Sequence, residues 1–151
     1  MSAIWDSHTL KVIANAKSNK AWKATGLEID SRKVKQGDLF CAIKGNNLDG
    51  HNFINGAIKN GAVACLVSNS NTLLNTTAFS KVKNVINTIE KMAIESRKRS
   101  NASFIAITGS VGKTGTKEML KTSFSKVTNI FANQSSFNNH IGVPVSLSQI
   151  P

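Results

Sequence analysis

The stretch Phe104-Ile105-Ala106-Ile107-Thr108-Gly109-Ser110-Val111-Gly112-Lys113-Thr114-Gly115-Thr116-Lys117-Glu118-Met119-Leu120 decides how this chain is read. Its apolar start, residues 104–107, has the length and composition of a buried strand. The run stops at Thr108-Gly109, and Gly112, Lys113 and Thr114 come just before a helical pattern. Strand, glycine loop and helix in that order are the context of a phosphate-binding loop. Glycines let backbone N–H groups approach phosphate oxygens because no Cβ intervenes. The opening helical turn adds N–H groups without intrahelical partners and the positive end of the dipole. In such a loop Thr108, Gly109, Ser110, Val111, Gly112, Lys113, Thr114 and Gly115 surround the phosphates. Lys113 is the catalytic candidate, reaching the terminal phosphates, and the Thr114 hydroxyl is a ligand for Mg2+. The longer G-x-x-x-x-G-K-S/T form would place glycine where this chain has Ile107, so the match is to the shorter T-G-x-x-G-K-T form. A plain strand-to-helix turn with an incidental Lys-Thr is the competing reading. The joint occurrence of loop, Lys and Thr behind a strand argues against it.

Downstream, the helix is expected to continue through Met119, Leu120 and Phe124, and residues 127–131 read as a second strand. Residues 133–140 are polar and loop-like; Asn138 and Asn139 could line the nucleotide site or simply shape their loop by side-chain hydrogen bonds. Pro144 suits the first turn of a last helix. Upstream, residues 82–99 carry Val85, Ile86, Ile89, Met92 and Ala93 at helical spacing. Before them come a helix capped by Asp6 or Ser7, strands at 26–30, 39–43 and 62–67, and a helix after Asp49-Gly50-His51 with Phe53, Ile54, Ala57 and Ile58 on one face. This order predicts an α/β chain: a small α/β domain over residues 1–82, a bridging helix and linker over 83–100, and over 101–151 the start of a parallel-sheet nucleotide-binding domain.

Composition sets the outer bounds. The chain has 151 residues and is 40% hydrophobic, which suits a globular core. No apolar run approaches the ~20 residues of a membrane span, and the N-terminus has no basic start followed by an apolar core. The expected compartment is the cytoplasm. A formal charge of +11 and a pI near 10.0 raise nucleic acid as a partner. Lysine is dispersed along the chain, however, and no aromatic residues interleave with the one compact cluster, Arg97-Lys98-Arg99. Nucleic acid is thus not the expected partner, and a basic nucleic-acid-binding protein with a phosphate loop stands as the lesser alternative. Cys41 and Cys65 sit in separate apolar runs and read as core residues.

Several stretches together resemble the Mur ligases, which build the peptidoglycan precursor peptide: Asp30-Ser31-Arg32, then Gly37-Asp38-Leu39-Phe40-Cys41-Ala42-Ile43, then Gly45 and Asp49-Gly50-His51, then the phosphate loop in that family's shortened form. Within the family, Lys117-Glu118-Met119 and Phe137-Asn138-Asn139-His140-Ile141-Gly142-Val143-Pro144 resemble the member that adds D-alanyl-D-alanine to UDP-MurNAc-tripeptide. The resemblance runs from about Gly26 to Pro151. It implies an ATP- and Mg2+-dependent reaction through an acyl phosphate, with UDP-MurNAc-tripeptide and D-alanyl-D-alanine as substrates. It also implies that Ser31 and Arg32, supported by Asp49 and His51, bind the UDP-precursor; turn capping and solvated charge are the ordinary alternatives for these four. Two positions depart from the family pattern: Gly115 stands where it has Thr or Ser, and Gln134-Ser135-Ser136 where it often has Gly-Asn. The family's later metal-binding Glu and His, modified Lys and C-terminal domain have no counterpart in these residues. The expectation is a fragment inactive alone, with a separately encoded remainder or a stand-alone binding module as variants.

Overall fold

The computed structural model describes residues 2–70, 77–133 and 140–150. Trp5–Asp6 (β1) pairs antiparallel with Lys23–Ala24 (β3). Between them runs Ser7–Ala14 (α1), started by the Asp6 carboxylate, which accepts the Thr9 N–H at 2.7 Å. Such a side-chain cap satisfies one of the helix's orphan donors. Lys17–Ser18 (β2) follows.

Gly26–Glu28 (β4), Asp38–Cys41 (β5), Ala64–Val67 (β6) and Phe79–Lys81 (β7) form a parallel sheet to which β2 adds one antiparallel edge, in the order β2-β7-β6-β5-β4. The register pairs Leu27 with Leu39, Phe40 with Cys65, and Leu66 with Ser80. All four residues of β6 are buried, as a strand covered on both faces requires. Gly50–Phe53, a single 3-10 turn, leads into Ile54–Lys59 (α2), which covers one face through Ile54 and Ala57 against Phe40, Cys65 and Val67. Val85–Arg99 (α3), α1 and Gly142–Ser148 (α5) cover the other, where Trp5, Leu10, Ile89, Met92 and Val145 pack on Leu27, Leu39, Cys41 and Leu66. Cys41 and Cys65 are neighbours in the sheet but point into different core layers; burial pushes the Cys41 thiol up and the Cys65 thiol up to about 12.

The expected bridging helix is therefore no free strut. α3 buries Val85, Ile89, Met92 and Ala93, and packs on α1 from one side and α5 from the other. Its end is pinned by Arg99. That guanidinium lies 4.3 Å from the Trp5 ring, donates to the Ile4 carbonyl at 2.8 Å and reaches the Ile150 carbonyl at 3.2 Å. Trp5 Nε1 donates to the Ser148 carbonyl at 2.7 Å, so the last helix is tied to the first strand.

Two sequence expectations fail. Residues 104–107 and 127–131 form no strands; Ile105 is 68% and Val127 78% exposed. A strand needs a neighbour for its N–H and C=O groups, and no described strand of this chain lies beside either run. The helix between them does form, as Lys113–Phe124 (α4), because its hydrogen bonds are local, yet it buries no residue. It continues through Met119, Leu120 and Phe124 as expected, with Met119 72% and Phe124 42% exposed.

Candidate functional site

The phosphate-loop candidates sit at the open N-terminus of α4. Gly112 caps the helix at φ 79 and Gly109 adopts φ 147, conformations that residues with a Cβ rarely take. The first helical bond runs from Thr116 N–H to the Gly112 carbonyl at 2.9 Å. By helix geometry, the N–H groups of Lys113, Thr114 and Gly115 then have no partner within the helix. No side chain caps this end and no acidic residue lies in its first turn. Thr108, Ser110, Val111, Lys113 and Thr114 are all exposed, and the Lys113 ammonium folds back across the loop to donate to the Gly109 carbonyl. N–H donors, one ammonium and one hydroxyl form a donor set that fits a polyphosphate. The Thr114 hydroxyl fits a Mg2+ ion, which usually takes one or two protein oxygens and completes its shell with phosphates and water.

The carboxyl edge of the parallel strands collects the other candidates, where α/β sheets commonly bind ligands. After β4, the Glu28 carboxylate accepts the N–H groups of Ile29 at 2.8 Å and Asp30 at 3.0 Å, setting the turn. Arg32 then grips Asp30 with a two-pronged contact, Nε to Oδ1 at 2.9 Å and Nη2 to Oδ2 at 2.8 Å. This pairing holds the Asp30 carboxyl down at about 2 against partial desolvation, while the Arg32 side chain stays 85% exposed. The Ser31 carbonyl accepts from Asn60 Nδ2 at 2.8 Å, anchoring the turn to the end of α2.

Asp49 and His51 form the second cluster. The Asp49 carboxylate caps the 3-10 turn by accepting the His51 N–H at 2.9 Å, and lies 2.6 Å from His51 Nδ1. The His51 N–H, then the ring, hold the Asp49 carboxyl below its ordinary value. His51 Nε2 accepts the backbone N–H groups of Ser68 at 3.1 Å and Asn69 at 3.3 Å. A backbone N–H can only donate, so Nε2 carries no proton and Nδ1–H donates to Asp49. His51 is thus a pin between the loop after β5 and the end of β6, with a positioning role. Gly50 is required between them: a Cβ there would lie 2.7 Å from the Ile43 N and O atoms.

Ser31-Arg32 and Asp49–His51 thus lie in successive crossovers of one sheet edge, and no hydrogen bond or ion pair among the described residues joins the two. Asn138 and Asn139 lie outside the described residues. Sequence reasoning missed the Ser68 and Asn69 amides, which carry no side-chain signal, and the Asp30–Arg32 fork, which an i, i+2 spacing in a turn could have suggested. Two arginines of the basic cluster, though exposed, make ring contacts within the chain, Arg97 5.0 Å from the Phe104 ring and Arg99 on Trp5. No helix among the described residues is long and apolar enough to cross a membrane.

Known proteins were then compared with this chain. The Mur ligase family, catalytic domain, matches residues 23–109, and the Mur ligase middle domain matches residues 107–151. The UDP-N-acetylmuramoyl-tripeptide--D-alanyl-D-alanine ligase of Rickettsia prowazekii is 39% identical over 97% of this chain and 32% of its own length. The enzyme of the same name from Synechocystis is 36% identical over 80% of this chain and 27% of its own. Among solved structures, MurF from Acinetobacter baumannii aligns at a TM-score of 0.81 and 27% identity, covering 97% of this chain and 33% of that one. MurF ligase from Thermotoga maritima in complex with ADP aligns at 0.64 and 32% identity, over 82% of this chain and 28% of that one. The chain spans about a third of the length of these relatives. With a glycine loop of the T-G-x-x-G-K-T form, a parallel sheet with Asp-Ser-Arg and Asp-Gly-His at its carboxyl edge, and a family match over more than half its residues, the chain belongs to the Mur ligase family.

Proposed function

We propose that this chain supplies the precursor-binding and nucleotide-binding parts of an ATP-dependent ligase that joins D-alanyl-D-alanine to UDP-MurNAc-tripeptide in the cytoplasm. The observation that carries this reading is the open loop at α4: two positive-φ glycines, unpartnered helical N–H groups, Lys113 and Thr114 in one place. The likeness to MurF over 97% of the chain supports the substrate class. ATP supplies the phosphoryl group that activates the tripeptide carboxylate. This chain's own residues bind and orient. Lys113 and the loop N–H groups hold the β- and γ-phosphates, and positioning plus charge neutralisation is what phosphoryl transfer chiefly asks of a protein. Thr114 gives Mg2+ one ligand. Arg32, whose guanidinium is exposed while Asp30 holds its inner edge, offers its outer edge to the diphosphate of the UDP moiety. Ser31 lies beside it, and Asp49 and His51 shape the neighbouring loop. Asn138 and Asn139 belong to the nucleotide end. We assign the precursor end to residues 1–82, the connection to 83–100 and the nucleotide end to 101–151, with α5 of that last span packed on α3 and on the sheet of the precursor end. None of the described residues is placed to hold the acceptor dipeptide or to deprotonate its amine.

A second reading, a binding module working with a separately encoded remainder, is favoured by the outward apolar side chains Ile105, Met119, Phe124 and Val127. Calorimetry separates the parts. The chain should bind Mg-ATP, with Lys113→Ala weakening it at least about tenfold, the factor one strong charged contact carries. It should bind UDP-MurNAc-tripeptide, with Arg32→Ala weakening that. ADP release in the presence of both ligase substrates should be absent. A folded sample that binds neither ligand refutes the proposal; robust turnover refutes the claim that further residues are required.

A further inference from the structure

We propose that Lys117 is a positioning residue that clamps the chain at Asn133 onto the phosphate-loop helix, so that nucleotide binding at the loop and the placement of residues 131–133 are coupled. The coupling rests on the nucleotide reading above; the clamp does not. Four observations lead to it. α4 buries no residue, yet the Lys117 side chain is only 14% exposed. Its Nζ donates to the Asn133 carbonyl at 2.8 Å, sixteen residues away, and lies 3.0 Å from Glu118 Oε1. The hydrogen bond from Lys117 holds the Glu118 carboxyl below its ordinary value. Lys113 and Lys117 are i and i+4 on the same helix face and lie near its positive end.

Electrostatics makes that last arrangement costly. Like charges at i, i+4 repel, and cations near a helix N-terminus oppose the dipole. A lysine kept there against solvent needs a counterpart, and the Asn133 carbonyl with Glu118 provides it. An anion on the loop removes the remaining cost, because phosphate charge offsets both lysines and the dipole at once. Bound phosphate therefore stabilises the conformation in which Lys117 is folded inward onto Asn133, and by linkage the closed clamp favours phosphate. A surface lysine in an ordinary ion pair would show neither effect.

The full chain is tested as Lys117→Met and Lys117→Arg. Backbone order parameters of residues 131–133, read by nitrogen-15 relaxation without nucleotide, should fall from about 0.85 to below about 0.6 in the Met variant. The Arg variant, which keeps a cationic donor for the Asn133 carbonyl, should restore most of that order. The global unfolding midpoint should stay within about 2 °C of wild type, because the α4 face contributes nothing to the core. Unchanged order parameters at 131–133 in Lys117→Met overturn the clamp. Calorimetry with Mg-ATP should show affinity about tenfold weaker for Met and within about threefold for Arg; equal affinity in all three proteins overturns the coupling. Absence of nucleotide binding by the wild-type chain refutes the nucleotide reading and the coupling with it, while the relaxation measurement still decides the clamp.

Discussion

His51→Ala should destabilise the chain and displace the loop after β5, although the side chain makes no contact assigned to a substrate. The cost follows from what is left behind. His51 is held on three sides, by Asp49 through Nδ1 at 2.6 Å and by the Ser68 and Asn69 amides on Nε2 at 3.1 and 3.3 Å. The Nδ1–H to carboxylate bond is charge-assisted, worth about 1.5–3 kcal/mol net. The Asp49 side chain is 34% exposed and water can replace part of that, so the lower half of the range applies. Two backbone amides at the end of β6 lose their acceptor, and with Asn69 exposed they add roughly 1 kcal/mol together. The sum is about 2–3 kcal/mol, or roughly 4–12 °C in melting temperature for a chain of this size. Asp49→Asn keeps the cap for the His51 N–H but not the charge, and should cost about 1 kcal/mol. Urea unfolding of both single variants and the double variant closes a cycle. The coupling should exceed about 0.5 kcal/mol, because the residues share one bond. A loss below about 0.5 kcal/mol for His51→Ala, or strictly additive losses, would refute the pin.

Arg99→Lys keeps a cation near the Trp5 ring but loses the fork that reaches the Ile4 and Ile150 carbonyls. Denaturant unfolding should show a loss of about 1–2 kcal/mol for Lys and about 2–4 kcal/mol for Ala; Lys equal to Arg would mean that only the charge matters. Acid should weaken the fold partly through Asp30. Its carboxyl is held at about 2 by the Arg32 side chain, below its ordinary 3.8, so the stabilisation is complete above the ordinary value and fades as pH falls from there through about 2. With Arg32 85% exposed, solvent screens the pair and the effect is small. Unfolding midpoints measured down that pH range should lose this component of their slope in Arg32→Ala, and an unchanged slope would sink the assignment.

The candidate site was legible where its chemistry rests on side-chain identity at fixed spacing. Gly109, Gly112, Lys113 and Thr114 needed only the order strand, loop, helix to be read as one site. The structure supplies the positive φ at both glycines and the open helix end. The role of His51 as a pin was not legible, because the partners of its Nε2 are backbone amides of residues 68 and 69. Any residue type there would offer the same N–H. Lys117 was hidden for a similar reason, since its acceptor is a main-chain carbonyl sixteen positions away.

The fold divides along the range of the interactions that make each element. Residues 62–67 read as a buried strand and 64–67 are one, because β5 and β7 flank them and helices cover both faces. Residues 104–107 carry the same kind of apolar run and are not a strand. The difference lies in what stands beside them. A strand's hydrogen bonds belong half to its neighbour, so an apolar run records a demand for a sheet without containing the means to meet it. A helix closes its own bonds, which is why α4 forms beside a run that does not. Helix closure still leaves little margin: short helices owe most of their stability to burial of an apolar face, and Gly115 lowers propensity by up to ~1 kcal/mol. Two large apolar side chains of α4, Met119 and Phe124, are exposed, and so are Ile105 and Val127 on either side. Met119, Phe124 and Val127 lie in the part of the chain that matches a middle domain, Ile105 lies two residues before it, and the relatives of this chain are about three times as long. The stretch that reads as a phosphate loop also leaves its apolar side chains unburied, and the two coincide because such a loop is built at the junction of a strand and a helix, the point where a sheet must be present to hold both.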